Sequence, residues 1–335
     1  MQENKLTLVI TETHLMADNI AQAIGANDCH DDYYLGNGYA VTWTNGMIVE
    51  DELKRSVKFV TSSIMDVRKF YAHNFSFKLR DMDDIVGYGR RAKDERRLQT
   101  IRRLWEMSET VVNAMCPDVD GEKIFLNLCN YLNLPGNIRR AWLSELSNKV
   151  IVNAIENGIW CERDKANYEE WLRREICNYF IAQCGLEIEQ TNLNISVASP
   201  DEPPLDNLFI LQIRAEREFG FDYGKTAKIA KSLYAKKLVS YPWLLQNCAP
   251  RYVERYIRRR LRSLRCNSKW EKLIPKNFSL LTHTFANGWG SPFDGHGIVV
   301  TGLQPINLNK DELKVFDLIV KDVVAAFVPV VHGHP

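Results

Sequence analysis

The sequence predicts an α/β protein: a mainly parallel sheet with helices on both faces, followed by a mainly helical second domain. Short apolar runs alternate with helical spacings as far as residue 155, the pattern of strands joined by crossover helices. A proline-rich break from Ala198 to Pro204 then interrupts the chain, and three helical patterns follow it up to residue 265.

Leu6 to Ile10 is a short apolar run ending in Thr11-Glu12-Thr13, and a helical pattern from Leu15 to Ile24 stops at Gly25. Aromatic and β-branched residues surround Gly36-Asn37-Gly38 in residues 33–44, which reads as a β-hairpin or a strand entered through a turn. Residues 50–95 give no clear pattern. A helix is expected from Arg96 to Met107, then a buried strand from Thr110 to Met115 and the loop CPDVDGE at 116–122. Ile124, Phe125, Leu128 and Leu132 mark one face of the next helix, ended by Pro135-Gly136. A third strand at Arg140 to Leu143 and a helix from Asn148 to Ile155 complete the alternating unit, and residues 164–192 read as helix. After the break, Tyr241-Pro242 stands at the junction before the last of three helices, whose Val253, Ile257, Leu261 and Leu264 make one apolar stripe.

A chain of 335 residues, 45% hydrophobic and 25% charged, is long enough for two domains with their own cores. The net charge of +1 hides a concentration of Arg251, Arg255, Arg258, Arg259, Arg260, Arg262 and Arg265 within fifteen positions, so a local basic surface is expected on a neutral protein. The eight cysteines form no CxxC pair, which excludes a zinc ribbon or thioredoxin-like motif and suits reduced thiols in a cytoplasmic protein. No signal-like N-terminus and no apolar run of membrane-spanning length is seen.

Ligands of an open parallel sheet bind outside the carboxyl ends of its strands. Glu12 follows the first strand and Asp118 and Asp120 follow the second, so the three carboxylates are expected to meet at one edge, where hard oxygen ligands suit Mg²⁺. Taken alone, a short acidic loop motif of this kind more often marks residues that are merely solvated.

Five segments, in order, carry a resemblance to the type IA DNA topoisomerases, and within them to the bacterial topoisomerase III branch. LVITETHLMADNIAQAIGA (8–26) is similar to that branch's opening, YYLGNGYAVTWTNG (33–46) looks like its hairpin, and CPDVDGE resembles the DxDxEGE motif of the Toprim domain. LQIRAEREFGFDYGKTAKIAKSLYAKKLVSYP (211–242) is similar to the helical segment ending in the catalytic tyrosine, and DGHGIVVTG (294–302) looks like the histidine-bearing segment. The resemblance implies a Toprim-like domain at 1–158, a helical connector and proline-rich linker at 159–204, and a tyrosine-bearing, mainly helical topoisomerase-like domain at 205–335. It implies Glu12, Asp118 and Asp120 as metal and acid-base carboxylates supported by Glu122, Tyr241 as the nucleophile, His296 as a contact to the scissile phosphate, and Mg²⁺ as cofactor. Tyr241 also reads as a core aromatic, and His296, between two glycines, as a turn residue.

The pattern is broken at four places. The first Toprim aspartate is Cys116, a poor ligand for a hard metal; the lysine after the first glutamate is Thr13; the arginine two places after the tyrosine is Trp243; and Asp120 stands for a glutamate. Two lost cations weaken a reaction that rests on electrostatic stabilisation. Only about twenty residues, 185–204, stand where the family has a long β-rich arch. The expected function is a topoisomerase-derived protein that binds single-stranded DNA through Arg251, Arg255, Arg258, Arg259, Arg262 and Trp243, with impaired cleavage and no strand passage. The alternatives are an active Mg²⁺-dependent single-strand cleaving enzyme, or a scaffold without chemistry. The basic helix could instead pair with an acidic surface of the same protein.

Overall fold

A computed structural model describes residues 6–54, 67–80, 88–158, 162–183, 205–242, 247–249, 253–281 and 296–329. The chain divides into two compact units, Met1–Leu143 with Ser147–Thr191, and Ser144–Leu146 with Asn192–Pro335.

The first unit is built on a six-stranded sheet in the order β2-β3-β4-β1-β7-β8. β1 (Leu6–Thr11) lies at its centre, parallel to β4 (Tyr39–Trp43) on one side and to β7 (Ser108–Asn113) on the other, and β8 (Asn137–Arg140) extends the parallel part. Leu8, Val9 and Ile10 are successive residues with no exposure, so both faces of this strand are covered, as a doubly packed parallel sheet requires. β2 (Asp28–Cys29) and β3 (Tyr33–Gly36) form the antiparallel edge, and β3 and β4 are a hairpin turning through Asn37 and Gly38, both with positive φ.

The expected helix after β1 is α1 (His14–Ile24). Thr13 caps it by accepting from the Met16 N–H at 3.3 Å, and Gly25 ends it in the left-handed region. Its Met16, Ala17, Ile20, Ala21 and Ile24 are buried. The stretch without a clear pattern contains a separate antiparallel pair, β5 (Val49–Leu53) with β6 (Phe75–Leu79), and α2 (Val67–Asn74). α3 (Tyr88–Glu106) starts eight residues before the expected Arg96. It packs Leu98, Ile101, Leu104 and Trp105 into the same core as Leu8, Val111, Phe125 and Leu128. α4 (Val119–Leu132), α5 (Asn148–Glu156) and α6 (Glu162–Gln183) follow.

One strand sits elsewhere than the apolar pattern suggests. Ala141, Trp142 and Leu143 are buried, yet the paired residues are the three before Arg140, all exposed, and Arg140 itself. An edge strand is held by its backbone ladder and is free to be polar, so the apolar run marks where the chain enters the core rather than where it pairs.

The second unit contains α7 (Leu208–Phe219), α8 (Tyr223–Ala235), α9 (Glu254–Arg265), α10 (Ser268–Glu271) and α11 (Lys310–Phe327). α11 opens with a capping box between Asn309 and Glu312 and buries Val315, Phe316, Leu318, Ile319, Val320 and Val323 almost all round, as a central helix must. Val253, Ile257, Leu261 and Leu264 of the arginine-rich segment have no exposure, as their spacing predicts. The architecture is therefore mixed α/β with a parallel-rich sheet and many helices. Among the described residues no helix is long and apolar enough to cross a membrane. Residues 184–204, with the proline-rich break and the interval where an arch would be sought, lie outside the described residues.

Candidate functional site

In the first unit, β1 and β7 are hydrogen-bonded parallel neighbours, with Ile10 opposite Asn113. Glu12 and the 116–122 segment therefore leave the sheet at the same carboxyl edge. Glu12 is half-buried, and its carbonyl accepts the Gly46 N–H at 3.1 Å. Asp118 is the N-cap of α4 and accepts from the Gly121 N–H at 2.7 Å. Asp120 lies in the helix's first turn and is exposed. A Cβ at Gly121 would collide with the Cys116 carbonyl oxygen, so the tight entry into α4 depends on glycine there.

Glu122 and Cys116 face inward. Glu122 is 3% exposed and receives Arg140 Nε at 2.5 Å, the Tyr168 hydroxyl at 2.5 Å and Asn113 Nδ2 at 3.3 Å. Burial and the Glu122 charge raise the Tyr168 phenol well above its ordinary value, so it stays a donor. Arg140 spends its other donors on the carbonyls of Asn113, Met115, Cys116 and Ala141, which ties the backbone of the acidic loop to α4 through Glu122. The Cys116 thiol packs 3.7 Å from the Met16 sulfur, in the core. Among the described residues no three His, Cys, Asp or Glu side chains are gathered closely enough to hold a metal ion. The carboxylates that leave the sheet at this edge are Glu12 and Asp118, with Asp120 exposed in the first turn of α4. That set suits Mg²⁺, which commonly takes one or two carboxylates and keeps several waters.

In the second unit three short stretches run side by side. The Tyr241 N–H donates to the Ser144 carbonyl at 2.8 Å, Ser240 N–H to the Val299 carbonyl at 2.8 Å, and Thr301 N–H to the Leu238 carbonyl at 3.0 Å. The Ser240 hydroxyl accepts from Val299 N–H at 3.0 Å. Tyr241 is 2% exposed, and its ring meets Tyr234 edge-on at 5.0 Å. His296, also buried, has Nδ1 2.7 Å from the Gly297 carbonyl oxygen. A carbonyl only accepts, so Nδ1 carries the proton and Nε2 is the free acceptor of the neutral ring. Burial holds this imidazole below its ordinary pKa and Arg260 adds to the effect, against the Gly297 carbonyl and Glu145. Tyr241 and His296 thus lie on bonded neighbouring stretches.

The arginine-rich helix divides its side chains. Arg255, Arg258, Arg259 and Arg262 are exposed at helical spacings of three and four, and among the described residues none has a carboxylate partner. Arg265 pairs with Glu271 at 3.4 Å, and Arg260 turns inward. Arg251 and Trp243 lie outside the described residues. Sequence reasoning missed Arg140, Tyr168, Glu145 and Arg260 as parts of these sites. A signal existed only for Arg140, an arginine directly before a buried apolar run.

No family model matches the chain. It is 26% identical over 179 residues to DNA topoisomerase 1 of Alkalihalophilus pseudofirmus, a match covering 53% of this chain and 25% of that protein. Over 161 residues it is 30% identical to DNA topoisomerase 1 of Methanothermobacter thermautotrophicus, covering 46% of this chain and 21% of the relative. The chain thus aligns with about a quarter of the length of the curated relatives it matches. Its fold is similar to that of full-length topoisomerase I from Thermotoga maritima, with a TM-score of 0.55 over 96% of this chain and 61% of that one, at 15% identity. These likenesses support a type IA topoisomerase-like relationship. The particular likeness in sequence is to proteins named DNA topoisomerase 1.

Proposed function

We propose that the chain is a type IA topoisomerase-like protein that binds single-stranded DNA, with impaired single-strand cleavage and no strand passage. The observation that carries this is the stripe of Arg255, Arg258, Arg259 and Arg262, exposed and without carboxylate partners among the described residues. An exposed basic helix face with no carboxylate partner among the described residues is suited to neutralise phosphates, and it does so without regard to base sequence.

On this reading the first unit is Toprim-like, related to the topoisomerase III branch, and the helical unit that follows bears the tyrosine. Mg²⁺, when bound, would be held by Glu12 and Asp118 and would neutralise phosphate charge. Tyr241 supplies the nucleophilic oxygen, and His296 a neutral ring on the neighbouring stretch. Cleavage is impaired because Cys116 is packed against Met16, Thr13 is spent on capping α1, and Tyr241 is covered.

Three assays on the purified chain test the proposal. Anisotropy with a labelled single-stranded oligonucleotide should show binding that weakens steeply with salt. Replacing Arg258, Arg259 and Arg262 by alanine should flatten the salt slope by about 2, at about 0.7 per lost phosphate contact on a single strand. A triple variant that binds as tightly as the parent at several salt concentrations removes the helix from the interface. Supercoiled plasmid should remain unrelaxed, and efficient relaxation refutes the loss of strand passage. Nicking or a tyrosine adduct in Mg²⁺ without relaxation selects the cleaving-enzyme reading instead.

A further inference from the structure

We propose that Arg260 provides the positive charge of the tyrosine–histidine site, held by Glu145 in the free protein and turned to a DNA phosphate when a strand is bound. The inference rests on the reading of the chain as a single-strand binder. It adds a residue that neither the sequence motifs nor the exposed stripe of α9 would select.

The tyrosine's own stretch carries no charge, since between Lys237 and Arg251 the sequence has no acidic or basic residue. The histidine's stretch is equally bare from Gly295 to Asn309 apart from the imidazole. Fixed charge from other elements therefore matters here: among the described residues the Asp206–Arg214 pair lies where the Asp206 carbonyl takes the Ile298 N–H, and Arg260 and Glu145 reach the tyrosine's side. Arg260 Nη2 donates to Glu145 Oε2 at 2.7 Å and Nη1 to the Val300 carbonyl at 3.2 Å, with the guanidinium 3.9 Å from the Tyr256 ring centre. Glu145 directly follows Ser144, whose carbonyl takes the Tyr241 N–H. The two charged side chains are 12% and 11% exposed. Gly302 lets α9 come this close: it has φ +87, and a Cβ there would lie 2.8 Å from the Arg260 Cα.

A guanidinium has five N–H donors in a fixed fork, and these contacts leave donors over for a third acceptor. Phosphate and carboxylate compete for such a fork with similar geometry. Glu145 therefore keeps the cation oriented while no strand is present, and it opposes a phosphate arriving at the same fork. The two residues should act on DNA binding with opposite signs, which a purely structural ion pair would not do.

Anisotropy with a labelled single-stranded oligodeoxythymidine on the full chain decides this. Arg260→Gln should weaken binding about tenfold, the order of one charge-assisted hydrogen bond. Arg260→Lys should retain most of the affinity, and Glu145→Gln should tighten binding. If the parent binds while Arg260→Gln and Glu145→Gln move affinity the same way or leave it unchanged, the assignment of Arg260 is overturned and the DNA reading stands. If the parent does not bind, both fall. The His296 imidazole, followed by NMR, gives a check free of DNA. Removing the Arg260 charge should raise its pKa and removing the Glu145 charge should lower it. Should Arg260→Gln fail to fold, Glu145→Gln and Arg260→Lys carry the same tests. Titrations identical to the parent's in Glu145→Gln would place the pair away from the site and overturn the proposal.

Discussion

Arg140→Met removes the cation that, among the described residues, is bonded to Glu122. The guanidinium serves the Glu122 carboxylate at 2.5 Å and four carbonyls at 2.6–3.1 Å, and the side chains of the pair are 3% and 4% exposed. Methionine has a similar reach and no donors, so among the described residues Glu122 is left as a buried charge with Tyr168 and Asn113 to donate to it. The Asn113 carbonyl keeps the Ala141 N–H at 2.9 Å, so the larger loss is at the carboxylate. Breaking one side of a buried pair costs about 3–5 kcal/mol. With a urea slope of about 3 kcal/mol per molar, the midpoint of unfolding should fall by about 1–1.7 M, read by far-ultraviolet circular dichroism. Replacing the whole cluster by apolar groups, as Arg140→Met with Glu122→Leu and Tyr168→Phe, should recover most of the loss, because a buried pair exchanged for packed hydrocarbon is often neutral. An Arg140→Met midpoint within about 0.3 M of the parent would refute the reasoning, since the slope then converts to less than about 1 kcal/mol.

Gly121→Ala should lower stability by about 1–3 kcal/mol, the usual cost of overpacking, because its Cβ meets the Cys116 carbonyl oxygen; an unchanged melting temperature would refute this. Asp322 is buried beside Asp206 and faces Arg214, and burial together with the Asp206 contact pushes its carboxyl up to about 9. An unfolded aspartate titrates near 3.9, so between about pH 4 and 9 the native state holds a proton that the unfolded chain has lost, and stability should fall as pH rises across that window. Asp322→Asn should flatten the fall between pH 5 and pH 8.5 in thermal melts, and an unaltered pH dependence would count against the shared proton. Burial also pushes the Cys129 thiol up to about 12, leaving on the order of 10⁻⁴ thiolate at pH 8. Iodoacetamide followed by peptide mapping should therefore find the exposed Cys29 and Cys266 modified first and Cys129 only after unfolding.

Where one physical rule governs locally, the sequence was readable. β1, α1 with its Gly25 stop, the hairpin at Asn37-Gly38, α5 and the apolar face of α9 follow from periodicity and turn chemistry. β5, α2 and β6 were not legible, because Val49–Leu53 mixes three acids into a paired strand and its order comes from partners about 25 residues away. The candidate site divides the same way. Glu12, Asp118 and Asp120 are candidates by their place after strands, and the sheet carries Glu12 and the 116–122 segment to one edge. Arg140 with Glu122 and Arg260 with Glu145 join residues 18 and 115 apart, and no spacing rule couples such distances. Burial of Cys116 against Met16 likewise depends on α1 meeting the loop a hundred residues later.

The second unit borrows three residues, Ser144–Leu146, from a stretch of chain whose flanks belong to the first. Its integrity is therefore not contiguous in the gene. A fragment beginning at residue 205 would carry Tyr241, His296 and every described arginine of α9, yet it would leave behind the carbonyl that takes the Tyr241 N–H and the carboxylate that balances Arg260. Cut there, the helical unit would keep a cation shielded from water with no counter-charge, and its dissection calls for grafting the tripeptide back or neutralising Arg260 alongside the truncation.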